Sequence, residues 1–193
     1  MASAVDICNL ALSNLGPRIS INSISPANTP VEQHCAMLYP IARSAVLEAR
    51  DWTFALTRAT LAELSSSPTD HWEYAYAKPS DCRRIVRVFP EESTSDNDTL
   101  DYLLEGTSLL TSYPAGEILY VRDVVNTADF SGLFTIALGW MLSSLLAGPL
   151  VLDVKIKEWA DQKYLEALGN ASTGDANQTR YNPRPAASWI QNR

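Results

Sequence analysis

The chain has 193 residues, of which 46% are hydrophobic and 19% are charged, and its formal net charge is −7. This length and composition are typical of one folded domain that can bury a sizeable core. The acidic balance argues against a dedicated duplex-DNA-binding protein, because such proteins present a basic patch to the phosphates.

Three cysteines, Cys8, Cys35 and Cys82, occur without zinc-ligand spacing and without a signal peptide before them. They indicate a protein that folds with reduced thiols inside a cell. The sequence contains no P-loop, dinucleotide fingerprint or calcium loop, and we expect the protein to use no cofactor and no metal.

The first predicted helix is short and amphipathic. Ser3 and Asp6 form an approximate capping box at its start, and Gly16 is expected to end it. Residues 17–28 are rich in Ser, Asn and Pro, with isoleucines between them. This composition predicts an extended loop that its isoleucines attach to the core.

A second helix is predicted from Thr29, which can cap it, with Pro30 in the first position and Glu32 completing a capping box. Pro40 predicts a kink or two abutting helices, because proline removes a backbone hydrogen bond. After the helix, Trp52 anchors the core. We expect this helix to form the centre of a helical core through the face made of Val31, Cys35, Leu38, Ala42, Ala45, Ala49 and Trp52.

The pattern changes to short strands after residue 56, which predicts one small antiparallel sheet between residues 57 and 124. Residues 90–99 form a long acidic loop that either reaches a partner or is a solvated, mobile tip. The six predicted strands are Thr57–Leu64, Trp72–Ala77, Arg84–Phe89, Leu100–Leu104, Ser108–Tyr113 and Glu117–Val124.

A third helix is predicted after the capping residues Asn126 to Asp129, and no charged residue occurs between Asp129 and Asp153. A membrane span is one reading of this run. Gly148 and Pro149 are expected to end it short of the ~20 residues that a bilayer requires, and its flanks are acidic. We therefore expect a helix that is buried on all sides, within its own core or against another subunit.

The fourth predicted helix runs from Leu150 to Leu168, and Gly169 is expected to end it. Residues 170–193 follow as an extended C-terminal arm of charge +2, which leaves −9 on the remainder. Such an arm either orders on a partner or is a disordered terminus. The inward face of the helix is expected to contain Leu152, Ile156, Ala160, Tyr164 and Ala167.

The sequence offers no catalytic constellation. His34 and Cys35 are adjacent on a helix and point about 100° apart, so they cannot readily act as base and nucleophile. His71 lies near several serines, but no nucleophile elbow surrounds them. A carboxylate pair that cleaves glycans is defined by the distance between the two groups in space, not by their spacing in the sequence. The acidic residues that could form such a pair are expected to be surface acids only: Glu91, Glu92, Glu105 and Glu117.

Four segments carry a resemblance to a known family. The segments are AxDICNLALxxLG from Ala4 to Gly16, YPIAR from Tyr39, DWTFA from Asp51 and WxYAYxxPxDC from Trp72. In this order and spacing the chain resembles the head-to-tail adaptors, or connectors, of tailed bacteriophages, in the tail tubular protein A group of short-tailed phages.

The resemblance implies a homo-oligomeric ring, a dodecamer, that lies in the neck of the virion after assembly in the host cytoplasm. Such a ring joins the portal protein to the tail tube or nozzle and lets genomic DNA pass without sequence-specific binding. It also implies that the C-terminal segment embraces the portal, for which the candidate residues are Arg180, Tyr181, Arg184, Trp189 and Ile190.

The sequence thus predicts a structural, non-enzymatic protein of mainly helical α+β fold. Residues 1–56 and 125–169 form a helical adaptor core, 57–124 an inserted antiparallel β-rich subdomain, and 170–193 the extended arm. One alternative is a virion-associated peptidoglycan hydrolase. A small membrane protein is the third reading, although we expect no membrane partner.

Overall fold

The computed structural model describes residues 2–16, 19–65, 72–93 and 96–176. Helices account for 45% and strands for 23% of these described residues, so the fold is a mixed α+β fold. The described elements form three layers: a layer of four helices, an inner sheet and an outer sheet.

Helix α1, Ala4–Asn14, begins at the predicted capping box. The Asp6 backbone N–H donates to the Ser3 hydroxyl at 3.1 Å, and the Ser3 N–H donates to the Asp6 carboxylate at 2.8 Å. These two bonds satisfy donors that have no partner inside the helix. The start predicted for this helix is therefore confirmed.

Helix α2, Pro30–Ala49, also has the predicted start, because Thr29 and Glu32 form a reciprocal capping box. The helix continues without interruption through Pro40, which lies on its exposed side. The alternative of two abutting helices is therefore wrong. Solvent can serve the carbonyl group that proline leaves without a donor, which reduces the cost of a proline at this position.

The buried face of α2 is turned relative to the predicted face. Cys35 and Ala42 are buried as predicted, whereas Ala49 is exposed. Larger side chains take the inner positions, because they bury more apolar area than alanine does. Three predicted positions, Val31, Leu38 and Ala45, are only half-buried, and the fully inner residues include Tyr39, Val46 and Leu47.

Trp52 lies in the core as predicted and is 1% exposed. Its indole Nε1–H donates to the Val46 carbonyl oxygen at 2.7 Å, so the ring is buried without an unpaired donor. The ring packs edge-on against Phe134, with centroids 4.9 Å apart. Phe54 and Phe130 complete this aromatic cluster.

Helix α3, Gly132–Val151, is the centre of the helical layer, because it packs against α1, α2 and the fourth helix. The expectation that α2 holds this position is wrong. Gly139 lets α1 approach closely, since a Cβ at this position would lie 2.8 Å from Leu10 Cδ2. One turn later, the Ser143 hydroxyl donates to the Ala11 carbonyl of α1 at 3.1 Å.

Two predicted helix ends are wrong. Helix α3 continues through Pro149 to Val151, and Leu152, at φ 55°, caps it by donating its N–H to the Ala147 carbonyl. Helix α4 runs from Val154 to Ala176, seven residues beyond Gly169. Ala171 is buried in the core, and this packing extends the helix past a glycine that is otherwise a common stop.

In the described parts of the chain, seven strands form two antiparallel sheets, whereas the sequence predicted six strands in one sheet. The inner sheet has the order β1 (Leu56–Thr60), β7 (Ala115–Arg122) and β4 (Cys82–Pro90). The outer sheet has the order β2 (Ala62–Glu63), β3 (Tyr74–Ala77), β6 (Ser108–Thr111) and β5 (Tyr102–Glu105).

The inner sheet is covered on both faces. Val121 and the following Val124 belong to the core that the helices form, whereas Ile118 and Tyr120 belong to a second core with Leu109 of the outer sheet. Alternate residues of a strand point to opposite faces, so β7 supplies both cores. The larger core lies on the helical side, with 22 buried residues against nine.

Ion pairs join the helical layer to the inner sheet. Asp123, just after β7, accepts from Arg43 of α2 at 3.2 Å and from Arg83 of β4 at 2.7 Å. Arg43 is 8% exposed and therefore needs a partner. Burial alone would raise the pKa of Asp123, but hydrogen bonds and charges from the two arginines outweigh it and lower the pKa below its usual value.

Candidate assembly surfaces

The five predicted portal-binding residues, Arg180, Tyr181, Arg184, Trp189 and Ile190, lie outside the described residues. Their role stays a prediction. The arm was expected to begin at residue 170, but α4 extends to Ala176. If the chain has an extended arm, it therefore begins after residue 176.

The helical layer exposes an apolar surface along α3. Leu133 and Ile136 are 41% and 46% exposed, and Trp140 lies on the same face because the three residues are spaced by three and four. Trp140 is half-buried and packs edge-on against Trp159 of α4, with ring centroids 5.0 Å apart. Trp159 is itself 44% exposed. We call these four residues the helical apolar surface.

A network of polar contacts fixes α3 to α4 beside this surface. The Ser144 hydroxyl of α3 donates to the Asp161 carboxylate of α4, which also accepts from the Lys157 ammonium at 2.7 Å. The hydrogen bonds from Lys157 and Ser144 lower the pKa of Asp161. The two helices therefore present the tryptophan pair from a defined arrangement, which favours binding because little conformational freedom is lost.

Helix α3 is not buried on all sides within its own core, because Leu133 and Ile136 are exposed in the single chain. Burial of this face against another subunit stays a prediction. The helix has 20 residues and is long and apolar enough to cross a membrane, so the argument that Gly148 and Pro149 shorten it also fails. Half of its most apolar stretch is buried inside the fold. A core helix of a soluble protein meets the same criteria of length and composition, and α3 packs against three other helices.

Acidic residues are concentrated in one part of the chain. Residues 88–121 contain seven Asp or Glu residues and no Lys or Arg, which gives −7. The other residues contain 15 acidic and 15 basic side chains, so this segment accounts for the net charge of the whole chain. The acidic residues without basic neighbours in sequence are therefore concentrated in one part of the sheets, between β4 and β7.

The described residues hold no group of three or more His, Cys, Asp or Glu side chains that could bind a metal. Cys35 faces Cys8 in the core, and a hydrogen bond between them, with burial, raises the pKa of the Cys8 thiol. Glu91, Glu92, Glu105 and Glu117 are all exposed, as expected for surface acids. His71 lies outside the described residues.

Sequence reasoning missed the helical apolar surface. Its signal was present in the spacing of Leu133, Ile136 and Trp140, but an all-apolar helix gives no polar stripe to mark its outer side. Helix α2 exposes a second, smaller apolar pair, Met37 and Ile41, at 56% and 55%. Exposed apolar side chains that lie together mark interaction sites more often than isolated ones do.

Comparison of the sequence with protein-family models and with curated proteins found no match. The described residues define the class of the protein as a mixed α+β protein with an exposed apolar helical surface and an acidic pair of sheets. Its particular function is therefore a matter of proposal.

Proposed function

We propose that the protein is a structural head-to-tail adaptor of a tailed phage, forming a ring between the portal and the tail tube or nozzle. The observation that supports it most is the helical apolar surface, which has no partner within the described part of the subunit. The kind of assembly, a ring in the neck of a phage, is inferred from the resemblance of four sequence segments to the tail tubular protein A group.

In this proposal the helices form the ring body as a bundle, the sheets are the β subdomain directed to the tail, and the chain after Ala176 is the extended arm. Identical subunits that pack through two different surfaces form a closed ring when the rotation between them permits it. Leu133, Ile136 and Trp159 then pack against a different surface of the neighbouring subunit. A dodecamer is the ring size that the resemblance implies.

The arm supplies the contact with the portal through Arg180, Tyr181, Arg184, Trp189 and Ile190. A segment that orders only on its partner keeps the free subunit soluble until a portal is present, because ordering costs conformational entropy that the portal contacts must offset. The acidic sheets do not hold DNA by counterion release, which is compatible with a genome that slides past them.

Light scattering on the purified protein, alone and mixed with the portal ring of the same phage, tests the proposal. We expect a soluble subunit that joins the portal in about a one-to-one subunit ratio. A chain ending at Ala176 is expected to fold but not to join the portal. Normal attachment of this shortened chain contradicts the role of the arm.

The helical apolar surface is tested by Ile136→Glu. This substitution changes an exposed side chain, so we expect unfolding free energy to change by less than about 0.5 kcal/mol while ring formation is lost. Thr107→Glu, at an exposed position in the turn between β5 and β6, adds the same charge away from the helical layer as a control. If both variants form rings equally well, the surface is not the contact between subunits.

A further inference from the structure

The outer sheet ends in a short, exposed edge strand, β5. All four residues of β5 are exposed, with Tyr102, Leu103 and Leu104 at 37%, 41% and 42%. Among the described residues β5 pairs only with β6. Proteins usually protect an edge strand with lysine, proline or a bulge, because its free N–H and C=O groups can pair with another chain. Strand β5 has no lysine, proline or bulge, and its one charged residue, Glu105, repels an acidic chain but not a cationic one.

The register of the hairpin determines which backbone groups are free. Glu105 pairs with Ser108 across a two-residue turn in which Gly106 has φ +59°. In such a hairpin the residues that flank the turn exchange hydrogen bonds, and this role alternates along the strand. Glu105 and Leu103 therefore bond to β6, whereas the N–H and C=O groups of Tyr102 and Leu104 point outward.

A pocket lies at the open end of the same hairpin. It has a volume of about 400 Å³. Tyr102 lies opposite Thr111, so Leu100 and Tyr113 are the next pair beyond the strands on the same face. Both line the pocket, together with Pro90, Glu91, Glu92 and Pro114. A chain that follows β5 past Tyr102 meets apolar walls and two carboxylates.

The charge around this site is negative and largely uncompensated. Five acidic residues surround the strand and the pocket, and none of them forms an ion pair with a described residue. The segment from residue 88 to 121 has no Lys or Arg, and Arg84, whose charge reaches Tyr102, is already paired with Asp51. These carboxylates therefore favour a cationic ligand and disfavour an acidic one. The five are Glu91, Glu92, Asp98, Asp101 and Glu105.

We propose that the outer edge of β5 and the adjoining pocket bind an extended, cationic segment of another protein. The segment adds a strand beside Tyr102 and Leu104, and directs a Lys or Arg into the pocket. There its aliphatic part packs on Leu100 and Tyr113, and its charge meets Glu91 and Glu92. This site is distinct from the helical apolar surface, and its existence does not depend on the adaptor function.

The probe is a displayed library of random twelve-residue peptides, selected on the immobilised full chain. We expect enrichment of peptides that combine Lys or Arg with alternating β-branched or aromatic residues. With a selected peptide bound, amide exchange measured by NMR should slow about tenfold or more at Tyr102 and Leu104. The Leu103 amide, which already bonds to β6, is the internal control and should change little.

Two variants test the backbone pairing and the charge separately. Leu104→Pro removes an outward donor without removing a bond to β6, so the sheet should persist while peptide affinity falls about tenfold or more. Leu104→Lys is the second variant if proline disturbs the fold. Glu92→Lys should reduce affinity similarly, whereas Glu63→Lys, on the opposite edge of the sheet, should leave affinity within about twofold.

Three results would overturn the proposal. The first is that no peptide is enriched, or that the enriched peptides are neutral or acidic. The second is that Leu104→Pro and Glu92→Lys bind the selected peptides as tightly as the original chain. The third is protection of the Tyr102 and Leu104 amides that rises with protein concentration without peptide, since the edge would then pair with a second copy.

Discussion

The two faces of the inner sheet differ in how firmly they are covered. On the helical side a core of 22 buried residues surrounds Trp52 and Phe134, whereas nine buried residues hold the outer sheet. A smaller core leaves less free energy to resist local opening. The comparison indicates that the helical layer keeps the subunit folded, while the outer sheet can use its exposed edge to bind partners.

The largest effect is expected from Trp52→Ala. Removing this ring leaves a cavity in the helical core, which costs about 3–5 kcal/mol of unfolding free energy. Urea denaturation followed by circular dichroism measures the loss. As a control, Tyr113→Ala removes a ring that is 67% exposed and should change stability by less than about 1 kcal/mol. Equal effects of the two substitutions would contradict the burial of Trp52 in the helical core.

Leu109→Ala tests the smaller core in the same way. Leu109 is fully buried between the two sheets, so we expect a loss of about 3 kcal/mol. Native-state amide exchange should show the loss chiefly in β3, β5 and β6, with the helices still protected. Uniform loss of protection in all layers would mean that both cores form one cooperative unit.

The contact between the layers is tested by Asp123→Asn. This substitution leaves the Arg43 guanidinium, whose side chain is 10% exposed, without its charged partner, at a cost of about 2–3 kcal/mol. Asp129→Asn is the matched control, because Asp129 and Arg122 are 3.8 Å apart and both more than 40% exposed. Thermal denaturation should show a change below about 1 kcal/mol for the control.

Adding a side chain where α1 and α3 approach closely is expected to cost somewhat less unfolding free energy. Gly139→Val places side-chain atoms against Leu10 and should cost about 2 kcal/mol through overpacking. Gly148→Val introduces the same side chain where no atom lies within 4 Å of the new Cβ, and should cost less than about 1 kcal/mol. If the two variants denature at the same urea concentration, packing against α1 is not the cause.

Acid should weaken the contact between layers before the helical core is affected. The pKa of Asp123 is lower in the folded chain than in the unfolded chain, so its contribution to stability is complete above the unfolded pKa. This contribution disappears as the pH falls through the folded pKa. The stability difference between the original chain and Asp123→Asn should therefore shrink below about pH 4. A constant difference would exclude this linkage.

Local signals in the sequence predicted the helix starts well. Thr29 and Glu32 lie three residues apart and form bonds that depend on no distant part of the chain, so their capping box could be found from sequence. The central position of α3 could not, because a helix without polar residues has no periodic face. The number of sheets was equally hidden, since alternation shows which residues of a strand are buried but not against which layer.

The candidate sites also differ in how much of each can be predicted from the sequence. The acidic character of residues 90–99 was visible as composition, whereas the free edge of β5 depends on the strand order. The helix end predicted at Gly169 failed because Ala171 packs into the core, a contact between distant parts of the chain. Where the local sequence preference is weak, tertiary packing therefore determines where a helix or strand ends and which neighbour it packs against.

The pairing of β1 with β7 brings together the two points at which the chain enters and leaves the sheets. Leu56 lies opposite Val121, so the chain leaves the helical layer and returns to it at neighbouring points. Insertions between adjacent chain ends are tolerated because the host fold does not have to move. The outer sheet contributes no residue to the helical core, so its strands and turns can change in length, and with them partner specificity, without removing a side chain from that core.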